Sequence, residues 1–387
     1  MQYRVNNKNG EKLSVLGFGC MRFSKSESDV EKQIIHAIEN GVNYFDTAYI
    51  YPNSEVILGR VLSKGYRKQV NIATKLPPYL VKKYDDFDKL FYKELERLQT
   101  DYIDYYLMHM LTDVNTWERL KDLGVEKWIE EKKTSGQIRN IGFSYHGGKN
   151  EFIKLVDAYD WEFCMIQYNY LDENNQAGKS GLKYASSKGL PVMIMEPLRG
   201  GKLVSNLPKE VYKQFDLATT KRSPAEWALK WIWDQAEVTL VLSGMNSMEM
   251  LNENMRVASE SKINTLTDEE RVMFDKVKTT LQEKIKVPCT GCNYCMPCPV
   301  GVDIPTCLSC YNDIEIEGRI GAFSKYIMQT SLKSQPHNAS LCVQCGQCEK
   351  HCPQEIKIMK ELKNVTKKLE GFHFKPIRTL AKRFMKL

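Results

Sequence analysis

Through the first 260 or so residues, short apolar and β-branched runs alternate with stretches of helical period. The runs at 13–17, 44–46, 70–74, 102–109, 138–144, 163–167, 191–196 and 238–242 predict strands, being apolar throughout rather than alternating. Helical patterns follow at 29–40, 54–65, 87–99, 117–136, 149–158, 178–189, 224–235 and 248–259. Ser223-Pro224 and the acidic Thr267–Glu270 stretch have the chemistry of helix starts. Eight strand–helix units over roughly 250 residues predict an α/β fold, a (β/α)8 TIM barrel. An open doubly wound sheet would carry a glycine-rich phosphate turn after its first strand. The segment Gly17-Phe18-Gly19-Cys20-Met21-Arg22 breaks that pattern at its last position, and Gly142 to Lys149 is no P-loop.

Past a further helix, Val287-Pro288 opens a different composition. Ten of the twelve cysteines fall between Cys289 and Cys352. The expected division is a barrel at 1–265, a connecting helix at 266–286, a small, mainly helical domain at 287–359 and a basic tail at 360–387. That tail holds nine Lys/Arg against two acidic residues, which accounts for the whole net charge of +7. It is expected to be a solvated, partly frayed terminus. No basic, aromatic-interleaved module points to nucleic acid, no run is long enough for a membrane span, and the polar N-terminus has no signal-peptide core. The expectation is a cytoplasmic enzyme with intracellular metal chemistry in its thiols.

In a TIM barrel the chemistry sits on residues at the C-terminal ends of strands. Asp46, Lys75 and His109 stand at successive predicted strand ends, with Tyr51 in the loop after Asp46. A tyrosine is a poor proton donor at neutral pH unless a cation stabilises its phenolate. Lys75 can do so, Asp46 can hold Lys75, and His109 can orient a carbonyl. Each alone has a structural explanation; the four in order are an acid–base set.

The stretch Phe45-Asp46-Thr47-Ala48-Tyr49-Ile50-Tyr51, with Ser54-Glu55, Ala73-Thr74-Lys75 and Leu107-Met108-His109, resembles the aldo/keto reductases. That resemblance implies NADP- or NAD-dependent reduction of a small-molecule carbonyl to an alcohol, with Tyr51 rather than its rival Tyr49 as general acid. It implies nicotinamide contacts at Ser144 and Gln167, pyrophosphate contacts around Pro197, Leu198 and Gly200, and an adenosine end near Ser243, Gly244, Glu253 and Asn254. Pro52 replaces the glycine that usually follows the tyrosine, and Tyr145 stands where many members have Asn. Gly244 and Met250 stand where NADP-preferring members often carry basic residues, so the nucleotide preference stays open.

The thiols form two runs, Cys289-x2-Cys292-x2-Cys295-x2-Cys298-Pro299 and Cys342-x2-Cys345-x2-Cys348-x3-Cys352-Pro353. The second matches the bacterial ferredoxin spacing; the first is one residue short before its Cys-Pro. By that pattern Cys289, Cys292, Cys295 and Cys352 hold one [4Fe–4S] cluster, and Cys342, Cys345, Cys348 and Cys298 hold another. Zinc sites, built on separated pairs, fit these dense runs badly. Cys307 and Cys310 are expected to be buried spare thiols in a helix, and Cys20 and Cys164 core residues. Most of the chain resembles aldo/keto reductases carrying a C-terminal 4Fe-4S ferredoxin-type domain, which is expected to be structural or to exchange electrons with a redox partner protein or a flavin. The alternative reading is an electron carrier whose barrel is a nucleotide-sensing or docking module; an intact four-residue set argues against it.

Overall fold

The computed structural model describes residues 1–24, 26–316, 318–331 and 335–385. The chain divides into two compact units, one of residues 1–198 and 222–267, the other of 199–221 and 268–387.

In the first unit, a hairpin of β1 (Tyr3–Val5) and β2 (Lys12–Ser14) precedes eight parallel strands: β3 (Leu16–Gly19), β4 (Tyr44–Asp46), β5 (Asn71–Leu76), β6 (Ile103–Leu111), β7 (Ile138–Tyr145), β8 (Phe163–Gln167), β9 (Val192–Met195) and β10 (Val238–Ser243). They close in chain order, with β10 returning to β3. The first expected strand, 13–17, is thus divided between the hairpin and the barrel. Asn6 and Glu11 between the hairpin strands meet the hydroxyl of Tyr105, which donates to Glu11 Oε2 at 2.6 Å and accepts from Asn6 Nδ2 at 3.1 Å.

The interior is packed. Tyr44, Tyr105 and Phe163 meet at centroid distances of 5.1 and 5.0 Å among Leu107, Met165, Met193, Leu240 and Leu242. Outside, the apolar stripes of the helices bury Trp117, Trp128 and Trp233 against the strands. The long helix expected at 117–136 is two, Val114–Asp122 and Val125–Thr134. They break at Gly124, whose φ of +89° is left-handed and whose Cβ would approach the Tyr84 ring to 2.9 Å.

The register sets the depth of the chemistry. Asp46 pairs with Ala73, and Lys75 with Leu107, one layer nearer the C-terminal end. Between Met108 and Leu111 the β6–β7 register shifts. Met110 there has φ of +55°, and its N–H donates to Ser144 Oγ at 2.8 Å. A bulge re-aims a side chain, here His109 beside it.

The second unit has its own core of Val302, Leu308, Tyr326, Ile327, Leu362, Val365 and neighbours. It is mainly helical, with Lys209–Leu217, Asp268–Lys284, Ile304–Ile316, Gly318–Thr330 and Ile358–Leu369. The segment expected to be a solvated basic tail is built into this core. Ile358, Leu362, Val365 and Leu369 recur on one helix face and are buried. A second helix, Phe374–Met385, follows. Counting charge hid that helical period; of the nine basic residues only Lys386 lies outside the described residues. No helix among the described residues is long and apolar enough to cross a membrane.

Candidate active site and thiol cavities

Three strand ends and one loop converge at the barrel mouth. Lys75 Nζ donates to Asp46 Oδ1 and to the Thr47 carbonyl, both at 2.6 Å. Lys75 and Asp46 are each buried. Burial raises the Asp46 carboxyl, and the Lys75 charge and hydrogen bond oppose that rise. The Lys75 ammonium stands 5.0 Å from the centroid of the Tyr51 ring, and that ring meets His109 edge-on at 5.9 Å. Asp46, Tyr51, Lys75 and His109 are thus gathered. Tyr49 is turned elsewhere: Arg97 stacks 4.5 Å over its ring and donates to its carbonyl.

The rest of the tyrosine motif anchors the loop. Ser54 Oγ donates to the Cys20 carbonyl at 2.9 Å and meets Thr47 Oγ1 at 2.7 Å. Glu55 accepts from Thr74 and Arg97 at 2.7 and 3.0 Å. These bonds hold both ends of the segment that carries Tyr51. Cys20 is fully buried, as is Cys164, and burial raises both thiols.

His109 is buried, and burial, then Lys75 and His146, draw its imidazole well below the usual histidine value. It is neutral at pH 7. A neutral imidazole still carries one N–H, enough to donate to a carbonyl oxygen.

His146 escaped the sequence reading. It follows Tyr145 on the loop after β7 and is buried close to His109 and Lys75. Burial draws it down to about 4, a hydrogen bond with Gln176 works against this, and the Lys75 ammonium adds to the fall. Gln176 Nε2 donates to Gln167 Oε1 at 3.0 Å, and Gln167 Nε2 donates to Asp172 Oδ2 at 3.2 Å. Asn169 Nδ2 also donates to Asp172, at 3.0 Å. This chain, His146–Gln176–Gln167–Asp172–Asn169, fixes the amide of Gln167 on β8. Nothing local in the sequence joins His146 to Gln176.

Ser144 is buried beside the bulge. Its neighbour Tyr145 donates to the carbonyls of Gly148 and Thr112 at 2.5 and 3.2 Å. That hydroxyl fastens the loop, a use an Asn would not reach. At the end of β10, Ser243 Oγ accepts from Asn254 Nδ2 at 2.9 Å, while Gly244 is exposed. Glu253 accepts from Ser223 Oγ at 2.5 Å, so its carboxylate is tied to the cap of the helix Pro224–Trp233. Pro197 is buried and Leu198 half-buried in the first unit, whereas Gly200, with φ of +64°, belongs to the second.

In the second unit the thiols line two cavities. Cys298, Cys342, Cys345 and Cys348 line one of about 280 Å³, with Cys295 also on its wall. Cys289, Cys292, Cys295 and Cys352 line the other. Each cavity therefore takes three thiols of one run and the Cys-Pro thiol of the other. The backbone explains the grouping. Each of the first two spacers of each run contains one left-handed residue: Gly291, Asn293, Gln344 and Gly346, with φ of +73°, +68°, +58° and +75°. Such a residue turns the chain so that thiols three apart face one way. Gln344 N–H donates to Cys342 Sγ at 3.4 Å. Cys307 and Cys310 line neither cavity; both are fully buried on the helix Ile304–Ile316. Among the described residues, no three His, Cys, Asp or Glu side chains converge on a single metal-ion position.

The aldo/keto reductase family model matches residues 15–278. The chain belongs to the aldo/keto reductase family. A second model, the 4Fe-4S dicluster domain, matches residues 288–357. This reductase is therefore an oxidoreductase barrel fused to a 4Fe-4S ferredoxin-like domain. Among its relatives, the uncharacterized oxidoreductase YrpG of Bacillus subtilis is 26% identical over 305 residues, 67% of this chain and 92% of that protein. The NADH-specific methylglyoxal reductase of Escherichia coli is 24% identical over 295 residues, 63% of this chain and 89% of that one. The solved aldo-keto reductase AKR11C1 from Bacillus halodurans, in its holo form, superposes with a TM-score of 0.61 at 27% identity, covering 72% of this chain and 96% of its own.

Proposed function

We propose that the barrel reduces a small aldehyde or ketone to an alcohol at the expense of NADH or NADPH, with Tyr51 as general acid. The carrying observation is the gathering of Tyr51, His109 and the Lys75–Asp46 pair at one mouth. Buried polar side chains there, Ser144, Gln167, Ser243 and Asn254, suit the amide and hydroxyl groups of a dinucleotide and would hold it with Pro197, Leu198, Gly244 and Glu253. The nicotinamide, when bound, supplies the hydride that adds to the carbonyl carbon.

The residues do the rest. His109, kept neutral, donates a hydrogen bond to the carbonyl oxygen and orients it. Tyr51 gives that oxygen its proton, and the Lys75 ammonium stabilises the phenolate left behind. Asp46 keeps Lys75 charged and fixed. The buried setting makes these charges act with little screening.

The second unit is read as holding two [4Fe–4S] clusters. The two cavities fit this chemistry: at least four thiols each, Cys295 lining both, wrapped by left-handed turns, with the crossed exchange of Cys298 and Cys352. The clusters would supply one-electron chemistry there, toward a redox partner protein or a flavin. A cytoplasmic location follows from the reducing conditions that such clusters need.

Anaerobically purified protein is tested for NADH and NADPH oxidation over a panel of small aldehydes and ketones, beside iron and sulfide analysis. Alcohol formed mole for mole with oxidised nucleotide is the expected result. Nucleotide binding without turnover across the panel would favour the electron-carrier reading.

A further inference from the structure

A third cavity of the second unit, about 90 Å³, shares Cys289 with the thiol cavity that Cys352 completes. Its wall carries Arg199, Lys202, Lys284 and Lys325, with Asp313. Lys325 donates to Asp313 at 2.7 Å, so that pair is neutralised. The positive charge of Arg199, Lys202 and Lys284 exceeds what this one carboxylate on the wall can balance.

The backbone is committed to this placement. Arg199, Gly200 and Gly201 have φ of +47°, +64° and +92°, three left-handed residues in succession. Two are glycines, but Arg199 bears the steric penalty of that region, and such strain persists where the surroundings hold it. What they hold is a guanidinium only 2% exposed, whose Nη2 donates at 3.0 Å to the carbonyl of Pro288, the residue before Cys289. Lys202 stands on the same cavity wall as Cys289. Lys202 and Cys289 are therefore within electrostatic reach. Among the described residues neither thiol cavity has a Lys or Arg on its own wall; the difference is that Cys289 also lines this cationic cavity, whereas no cysteine of the other cavity does, and its Cys345 is exposed.

We propose that Arg199 and Lys202 are positioning residues for electron transfer: a cationic wall, its guanidinium buried and its ammonium half-buried, that raises the reduction potential of the cluster held by Cys289, Cys292, Cys295 and Cys352. The inference rests on the two-cluster reading above. A cluster taking up one electron gains one negative charge, and a nearby fixed cation favours that form. The burial of Arg199 and the half-burial of Lys202 limit its screening by salt. The cationic segment, residues 199–202, begins four residues after the end of β9, so a stretch of the second unit that lies between barrel strands in the sequence carries the determinant of the cluster's redox poise.

The test is an anaerobic redox titration of the full chain with chemical mediators, followed by EPR, on the wild type and on Lys202→Gln and Lys202→Arg. Cys352→Ser identifies which signal belongs to the Cys289 cavity. Lys202→Gln is expected to lower the reduced-to-oxidised ratio of that signal at fixed poise by about tenfold, ~59 mV for one electron. The other signal should not move, Lys202→Arg should restore the wild-type value, and the shift should survive molar salt. Equal potentials in wild type and Lys202→Gln, or an equal shift in both signals, would overturn the proposal. Iron and sulfide for fewer than two clusters would instead overturn the ligand reading beneath it.

Discussion

The barrel mouth and the thiol cavities are built in opposite ways. At the mouth, Asp46, Lys75 and His109 come from three strands, and each needs the whole barrel to reach the others. Their charges are buried and opposed, Lys75 against Asp46, with two imidazoles kept neutral by that same burial. In the thiol unit, six of the eight cysteines are placed by turns within their own three-residue spacing, and only Cys298 and Cys352 cross over. A proton-transfer site depends on how its groups shift one another's charge, so it is assembled globally. A cluster site depends on wrapping one object, so a short peptide does most of it.

The largest test of this contrast is Tyr51→Phe. Removing one hydroxyl should lower kcat for carbonyl reduction by about 10²–10⁴-fold with nucleotide affinity, measured by fluorescence titration, unchanged. Turnover within a fewfold of wild type would show that the gathered set is not the acid.

Breaking the charge opposition should unsettle the barrel itself. Lys75→Met leaves the Asp46 carboxylate buried without its cation, which is expected to lower stability by about 3–5 kcal/mol in a denaturant titration. Lys75→Met,Asp46→Leu should recover part of that loss. Equal stability of Lys75→Met and wild type would mean the pair carries no folding energy.

The crossed thiols are the point where the second unit stops being local. Cys298→Ser and Cys352→Ser should each remove about half of the bound iron, but abolish different EPR signals. If Cys298→Ser abolishes the signal that Cys292→Ser also abolishes, ligation runs along each sequence run and the crossing is wrong.

The smallest effect is a pH slope. His146, drawn down to about 4 in the folded barrel, returns to roughly 6.5 when unfolded. Between those values the unfolded state binds the additional proton, so stability falls as pH drops, by about 1.4 kcal/mol per pH unit. His146→Gln should flatten that slope in thermal melts between pH 6.5 and 4. An unchanged slope would assign the acid sensitivity to other groups.

What was legible in the sequence was what is short-ranged. The order of strands and helices follows from period, and Ser223-Pro224 does start a helix, its hydroxyl accepting from Glu226 N–H at 3.0 Å. The break at Gly124 was missed because the apolar pattern runs across it; what forbids a side chain there is the Tyr84 ring, forty residues earlier. The 360–369 stretch looked like a charged tail because its four lysines outnumber the three apolar positions, Leu362, Val365 and Leu369, that tie it into a core.

By itself, then, the sequence determined the closed α/β barrel, the places of Asp46, Lys75 and His109 at its strand ends and the two cysteine runs, because period and spacing are properties of neighbouring residues. Only the tertiary structure decided that Tyr51 rather than Tyr49 faces Lys75, that His146 and Gln176 join the mouth, and that Arg199 reaches Pro288. Those contacts join residues far apart in the chain, and they form only when burial has removed the water that would otherwise satisfy each group separately.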